Sequence, residues 1–346
     1  MKKRIISLAA AAVFVLGTLA GCGNSSTQTT DKTASSDASS SGGDLVTVRD
    51  AVMTGQLDQY ATEIGLWQGI FEKYGIDLQT TEFVAGINTI DAVVNGTADI
   101  GMMADYAAVN RLGNTLDATN LQIFSQISGG QAALSGGLYV DPKYADDPKS
   151  LDGSAGFMYQ EGTVTYYYAS KCIEYLGLDE SKQNLINTDS SQTRLALIQK
   201  GGASAVYANG SEAKYIEEAG WVQVATSQEI GIQTGSYFLS TDKYISENTD
   251  TLAKFLQAVD ESTQYINDHL DESAEYLADK LGLKAEDFKE NWKNYSFEPG
   301  FSEEATTHLE DIEKWGFEHG SFPKDYNVRD FINTDVAKIA FPDNVT

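Results

Sequence analysis

The apolar side chains along the chain follow two spacings in turn, one typical of strands and one typical of helices. Residues 45–53, LVTVRDAVM, alternate and are rich in β-branched side chains, so we predict a strand there. Residues 58–75, DQYATEIGLWQGIFEKYG, carry apolar side chains every three or four positions and end at a glycine, which predicts one helix capped by Asp58. The pattern continues with predicted strands at 76–84, 99–103 and 121–128 and predicted helices at 88–95 and 104–114. This order favours a mostly parallel sheet covered by helices.

The middle of the chain repeats this arrangement, with a strand, a helix and a strand predicted at 154–160, 163–177 and 183–189. The stretch GINTIDAVVNGTADIGMM, which begins at Gly86, aligns with SSQTRLALIQKGGASAVYANG, which begins at Ser190. Each has polar residues at the start of an apolar helix, then a glycine turn and a strand. We interpret the match as two lobes that contain the same unit.

The last third of the chain is predicted to be mainly helical. Amphipathic segments with their charges on the solvent side lie at 248–270, 271–282 and 302–320. No Pro/Gly-rich linker divides the body of the chain. Two lobes joined by two passes of the chain would explain that absence.

The N-terminus carries the pattern of a targeting segment. A basic start, MKKR, is followed by an apolar stretch too short to span a membrane and then by LAGC, residues 19–22. This predicts a lipoprotein signal peptide at 1–21 that is cut before a lipid-modified Cys22. The alternatives are an ordinary cleaved signal peptide or an uncleaved anchor.

Residues 22–44 have almost no large side chains, so we predict a flexible Ser/Thr-rich tether. The body would then be held at the extracytoplasmic face of the cell membrane. The formal net charge of −26 argues against nucleic acid and anionic lipid as partners. Once Cys22 is lipid-modified, Cys172 is the one cysteine left, so no intrachain disulfide is possible. We predict a monomer.

The sequence contains no recognisable catalytic constellation. Its histidines, His269, His308 and His319, lie among acidic residues of the helical part, and we predict that they are exposed. Cys172 lies on a helical pattern and is predicted to be a buried small hydrophobe. Phosphate-binding and nucleophile-elbow motifs are absent from the sequence. We therefore predict a protein that is not an enzyme and that holds no cofactor and no metal.

Polar and aromatic residues cluster instead where predicted strands end. Ligands bind outside the carboxyl ends of the strands in open parallel sheets, and helix starts there offer free N–H groups and a positive dipole end. The alternative is that such residues merely cap their own helices, and Arg194 is expected to face solvent. The candidate ligand-binding residues are Gln56, Gly86, Asn88, Asp105, Tyr106, Ser128, Gly162, Thr163, Tyr166, Gln192, Tyr207 and Asn209.

Several segments together resemble a known family. They are ATEIGLWQGIFEKYGIDLQ, GINTIDAVVNGTADIGMM, SSQTRLALIQKGGASAVYANGSEA, GSYFLSTDKYISENTDTLAKFLQAVDES and YSFEPGFSEEATTHLEDIEKWGFEHG. In this order they resemble the solute-binding lipoproteins of ABC importers in the nitrate/taurine/sulfonate group, which also includes binders of thiamine-pyrimidine precursors. The resemblance covers nearly all of residues 45–343. Ser204 stands where members usually carry Asp, and YANG stands where a W-x-P segment is frequent.

The resemblance implies an α/β, two-lobed, type II periplasmic-binding fold. Lobe one would be 45–127 plus 233–346, lobe two would be 128–232, and strands near FSQIS and IQTGS would form the hinge. The implied partners are a small-molecule ligand, a permease and its ATPase, and the implied function is capture of a small organic solute by closure of the lobes. A sulfonate or taurine-like solute and a heteroaromatic nutrient both stay open.

Two other functions remain as alternatives. The related pyrimidine synthases share the fold but carry a Cys-rich motif and a sacrificial histidine, and this chain has no histidine before His269. A surface sensor that uses the same fold is the second alternative.

The many tyrosines favour a flat or partly apolar ligand, whereas Asp58, Asp105 and Glu161 favour an amine.

Overall fold

Ten strands and thirteen α-helices are formed by the part of the chain that the computed structural model describes, residues 45–116, 120–129, 136–151, 153, 156–293 and 295–346. The strands are β1 Val46–Met53, β2 Ile76–Phe83, β3 Ile100–Ala104, β4 Leu121–Ser128, β5 Gly136–Val140, β6 Gly156–Tyr159, β7 Asn184–Asn187, β8 Ala205–Asn209, β9 Val222–Thr226 and β10 Ser236–Thr241. The helices are α1 Leu57–Trp67, α2 Ile70–Lys73, α3 Gly86–Val94, α4 Asp105–Thr115, α5 Val164–Tyr175, α6 Ser191–Gln199, α7 Gly210–Glu218, α8 Ser227–Ile230, α9 Asp242–Asp268, α10 Leu270–Leu281, α11 Ala285–Trp292, α12 Glu303–Glu318 and α13 Asp335–Ala340. The predicted signal peptide, Cys22 and the tether lie outside the described residues.

The strands form two five-stranded sheets with the same plan. The first sheet has the order β2-β1-β3-β10-β4, and the second has the order β7-β6-β8-β5-β9. In each sheet one strand, β10 or β5, is antiparallel to both of its neighbours, and the other four run in one direction. The predicted α/β fold with two mostly parallel sheets is confirmed. The chain passes from the first sheet to the second after β4 and returns between β9 and β10.

The internal repeat seen in the sequence occupies equivalent places in the two sheets. Helix α3 leads through Gly96 to β3, and helix α6 leads through Gly201 to β8. Both glycines have positive φ values, 72° and 64°, which glycine adopts without strain. Since β3 and β8 are the middle strands of their sheets, the predicted repeated unit is confirmed.

Three local predictions differ from the structure. The helix predicted over 58–75 is two helices, because Gly69 adopts φ 68° between α1 and α2. Strands β5 and β9 were not predicted. Strand β5 begins with two glycines that read as a loop, yet a Cβ at Gly137 would collide with the carbonyl oxygen of Ala225 on β9. The close approach of two backbones therefore requires glycine inside a buried strand.

Aromatic side chains pack within lobe one and also between the two lobes. In the first lobe the rings of Phe124 and Phe238 stack with centroids 5.8 Å apart, and Phe238 meets Phe255 of α9 edge to face. Trp315 on α12 lies 6.0 Å from Tyr106 of α4 and 5.0 Å from Tyr166 of α5, measured between ring centroids. Helix α12 thus contacts helices that follow strands of both sheets. Within the described residues, no helix combines the length and apolarity needed to cross a membrane.

Candidate ligand-binding cleft

A cavity of 540 Å³ opens between helices of the two lobes. The start of α3 and the exposed face of α4 form its wall in lobe one, and the start of α5 closes it from lobe two. Its lining combines apolar side chains with two amides, three hydroxyls and one guanidinium. The lining residues are Ala85, Gly86, Ile87, Ala104, Tyr106, Ala107, Asn110, Arg111, Asn114, Thr115, Gly162, Thr163 and Val164.

One face of α4 supplies the polar wall of this cavity. Tyr106, Asn110 and Asn114 are spaced by four residues, so they lie one above another along the helix. Ser321, which follows α12, holds both ends of this row. Tyr106 Oη lies 3.2 Å from Ser321 Oγ, and Asn114 Nδ2 donates to the Ser321 carbonyl oxygen at 3.0 Å. These contacts hold the wall in place before any ligand arrives.

The helix starts at the cleft differ between the lobes. The residues before α1 and α3, Gln56 and Ala85, make no side-chain cap, and in α3 the Asn88 N–H donates to the Ala85 carbonyl oxygen at 2.9 Å. Thr163 and Ser190 cap α5 and α6, since their hydroxyls accept from Thr165 N and Thr193 N. At the cleft, the starts of α1 and α3 in lobe one therefore lack a side-chain cap, whereas those of α5 and α6 in lobe two each have one.

A second cavity of 250 Å³ meets the first at Ala104. It lies beside the chain crossing, where Ser128 Oγ at the end of β4 is 2.7 Å from Ser236 Oγ at the start of β10. Tyr295, which follows α11, donates from Oη to the Gly55 carbonyl oxygen at 3.1 Å and so holds the loop that carries Gln56. The lining residues are Gln56, Ala104, Ser128, Thr234, Gly235, Ser236, Asn291 and Tyr295.

A third cavity, open and 650 Å³ in volume, meets the first at Gly162 on the lobe-two side. Its walls carry two carboxylates. Asn187 Nδ2 donates to Glu161 Oε2 at 3.1 Å, and hydrogen bonds from Thr193 and Ser190 lower the pKa of Asp189. This end of the cleft is negative, in contrast to the helix starts of lobe one.

The comparisons with known proteins agree with this architecture. The family model described as NMT1/THI5 like matches residues 64–273, which is more than half of the chain. The chain belongs to the NMT1/THI5-like family. Membership in this family confirms the resemblance of the sequence to the nitrate/taurine/sulfonate group. A search of curated proteins finds no match.

Solved structures of low sequence identity share the fold. The periplasmic aliphatic sulphonate binding protein SsuA from Escherichia coli is 16% identical, with a TM-score of 0.70 over 85% of this chain and 99% of that chain. A putative periplasmic sulfonate-binding protein SsuA from Methylobacillus flagellatus KT is 13% identical, with a TM-score of 0.69 over 88% and 97%. The periplasmic nitrate-binding protein NrtA from Synechocystis PCC 6803 is 15% identical, with a TM-score of 0.59 over 87% and 91%.

In this NMT1/THI5-like chain, half of the predicted site residues line the first two cavities. Gly86, Tyr106, Gly162 and Thr163 line the first, and Gln56 and Ser128 line the second. The other predicted residues line neither cavity. They are Asn88, Asp105, Tyr166, Gln192, Tyr207 and Asn209.

Asp105 is buried at the chain crossing. Its side chain is 2% exposed, and Oδ2 accepts from Gly235 N at 2.8 Å and lies 2.8 Å from His308 Nε2. Oδ1 accepts from Tyr106 N at 2.7 Å. The carboxylate therefore joins α4, α12 and the segment that returns from lobe two.

The remaining predicted residues either pack or face solvent. Tyr166 meets Trp315 and His319 edge to face, and Tyr207 is buried with Oη 2.9 Å from Ser227 Oγ. Burial raises the pKa of Tyr207 to about 12. Three exposed polar residues lie at or near helix starts, Asn88 on α3, Gln192 on α6 and Asn209 before α7.

Three polar side chains lie deeper than the sequence predicted. His308 is buried against Asp105 instead of exposed, and Arg194 is buried where its guanidinium pairs with Glu212. Asp58 is fully buried as well, and its carboxylate accepts from Met53 N at 3.0 Å. Burial raises the pKa of Asp58 to about 7.

Three residues of α4 that line the cavity, Asn110, Arg111 and Asn114, are not among the predicted site residues. Residues 104–114 were predicted as a helix, and the four-residue spacing of Tyr106, Asn110 and Asn114 was visible in it. That spacing predicts a polar helix face, but nothing in it says that the face borders a cleft. Among the described residues, no group of three His, Cys, Asp or Glu side chains is placed to hold a metal ion.

Proposed function

We propose that this protein is the extracytoplasmic solute-binding component of an ABC importer. The observation that carries the proposal is the 540 Å³ cavity, which both lobes line at the ends of two matching sheets. A ligand in this position contacts both lobes and stabilises their closed arrangement. The solved structures that share the fold include proteins named for binding sulphonate and nitrate, which supports the same role here.

The proposed ligand is a small organic solute, either sulfonate- or taurine-like or heteroaromatic. The uncapped start of α3 suits an anionic head group, because its N–H groups and dipole favour negative charge. Ala85, Ile87, Ala107 and the Tyr106 ring suit an apolar or flat body. We propose that the partners are a permease and its ATPase, and that the binding protein acts as a monomer.

A role in binding without catalysis agrees with the chemistry of the cleft. Cys172, the one thiol in the described part of the chain, is fully buried on α5, and burial raises the pKa of its thiol. A thiol in that state does not supply a nucleophile to the cleft. Detection of a chemically altered solute after incubation with the purified protein would contradict this part of the proposal.

Thermal unfolding of the mature protein with a panel of solutes tests the proposed function. The panel contains taurine, alkanesulfonates, nitrate, pyrimidines, flavins and polyamines. A ligand at a hundred times its Kd adds about 2.7 kcal/mol to the free energy of unfolding, which gives a clear rise in the midpoint. Ligand-induced compaction in small-angle scattering would show closure. A protein that no member of the panel stabilises or closes would argue against the proposal.

We also propose that lipid on Cys22 anchors the protein to the membrane, on the basis of the LAGC segment and the tether that follows. Substitution Cys22→Ser is expected to move the protein from the membrane fraction to the soluble fraction, because one modified side chain carries the anchor. Fractionation after metabolic labelling with a fatty acid measures both effects. Label that persists in the Cys22→Ser protein would exclude Cys22 as the lipidation site.

A further inference from the structure

We infer that Arg111 makes the cleft selective for anionic solutes, and that Asp91 holds its guanidinium until the anion of a solute takes that place. This inference rests on the proposed function and names the charge of its ligand. Arg111 lies on α4 and lines the 540 Å³ cavity beside Ala107 and Asn110. Its Nη2 is 2.7 Å from Asp91 Oδ1 on α3.

The guanidinium of Arg111 has donors to spare. A guanidinium carries five N–H donors in a planar fork that matches two oxygens of an acid group. In the described part of the structure, Arg111 Nε is buried and has no hydrogen-bond partner. The contact with Asp91 engages Nη2, so the guanidinium keeps unused hydrogen-bonding capacity. Because Nε itself is shielded from solvent, a solute anion in the cavity would meet the Nη groups.

Because the surface around the cleft is negative, this arginine decides whether a solute anion can bind. The chain carries a formal net charge of −26, and the third cavity adds Glu161 and Asp189 at the lobe-two end. Among the described residues that line these three neighbouring cavities, Arg111 is the one Lys or Arg. An anion that enters this negative surface needs a fixed positive charge near it, because attraction falls off within about 10 Å at ordinary ionic strength.

The two members of the ion pair differ in exposure in a way that favours replacement of Asp91 by a solute anion. The Arg111 side chain is 18% exposed, whereas the Asp91 side chain is 44% exposed. When a solute anion takes the guanidinium, the Asp91 carboxylate returns to water at little cost, since exposed ion pairs contribute only about 0–1 kcal/mol. The Asp91 carboxylate keeps the arginine paired in the empty cleft and competes with weakly bound anions.

The test compares two probes of equal size, 1-butanesulfonate and neutral 1-butanesulfonamide, by calorimetric titration of the full mature protein. We expect the wild type to prefer the sulfonate. Arg111→Gln should weaken sulfonate binding by between roughly 10-fold and roughly 100-fold and leave sulfonamide binding unchanged. Arg111→Lys should be intermediate, because lysine keeps the charge and loses the fork. Asp91→Asn should strengthen sulfonate binding about two- to fivefold by removing the competitor.

The matched control is Arg49→Gln, which breaks the ion pair of Arg49 with Asp99 away from the three cavities and should leave the preference between the probes intact. General damage by Arg111→Gln would weaken both probes together, so the sulfonate-to-sulfonamide ratio separates selectivity from structure. Equal affinity of the wild type for both probes, or an unchanged ratio in Arg111→Gln, would overturn the inference.

If a neutral or cationic member of the solute panel closes the lobes independently of Arg111, the inference fails while the proposed function stands. If no solute binds at all, the proposed function fails and the inference fails with it.

Discussion

Replacement of Ala107 by tryptophan is expected to abolish solute binding and leave the protein folded. Ala107 is half-buried on α4 and lines the 540 Å³ cavity between the lobes. An indole at this position occupies the space that the solute needs, so we expect affinity to fall by about 100-fold or more. The free energy of unfolding should change by no more than about 1 kcal/mol, because the ring enters a cavity and not a packed core. Titration with the best solute of the panel and denaturant unfolding measure the two quantities.

The control for this variant is Ala278→Trp. Ala278 is also a half-buried alanine within a helix, α10, and lines none of the three cavities. It should bind the solute like the wild type. Full affinity in Ala107→Trp would show that the solute binds elsewhere, and the second cavity, beside Ser128 and Tyr295, would then be the next site to block.

Replacement of Asp105 by alanine is expected to be the most destabilising single change at the chain crossing. The substitution leaves the Gly235 N–H and His308 without their buried partner. Loss of one member of such a buried pair costs about 3–5 kcal/mol of the free energy of unfolding. Asp105→Asn keeps one acceptor oxygen and should lose less. Chemical unfolding of both variants gives the values.

A second substitution separates this structural role from a role in ligand binding. His308→Ala should also destabilise, and the double variant Asp105→Ala with His308→Ala should lose less than the sum of the two single losses, because each single change already breaks the shared contact. An Asp105→Ala protein with wild-type stability and no affinity for the solute would instead identify Asp105 as a ligand-contacting residue.

Most of the fold was predictable because its signals are local. The alternation in 45–53 and the helical spacing in 104–114 place β1 and α4 within a residue of their observed bounds. The failures have local causes as well. Gly69 looks tolerable inside a helix until its positive φ is known, and a strand that opens with two glycines has too few side chains to show alternation.

The candidate site was less predictable, and Asp105 and Tyr106 show why. Both follow β3, and both were predicted to contact a ligand. The side chain of Asp105 turns inward to a histidine 203 residues away, whereas Tyr106 lines the cavity. Neighbours in sequence at a helix start point in different directions, and the partners that bury one of them lie on α12 and at the chain crossing.

The sequence by itself determined most of the order of elements and the repeated helix–glycine–strand unit. These follow from apolar periodicity and from glycine positions, which depend on the backbone within a few residues. The resemblance of several sequence segments to a known family indicated the family. Only the tertiary structure decided which polar groups are satisfied by the protein and which face the cleft. That choice depends on the partners that distant segments bring to each group, and it separates the buried Asp105 and His308 from Arg111, whose side chain lines the cavity.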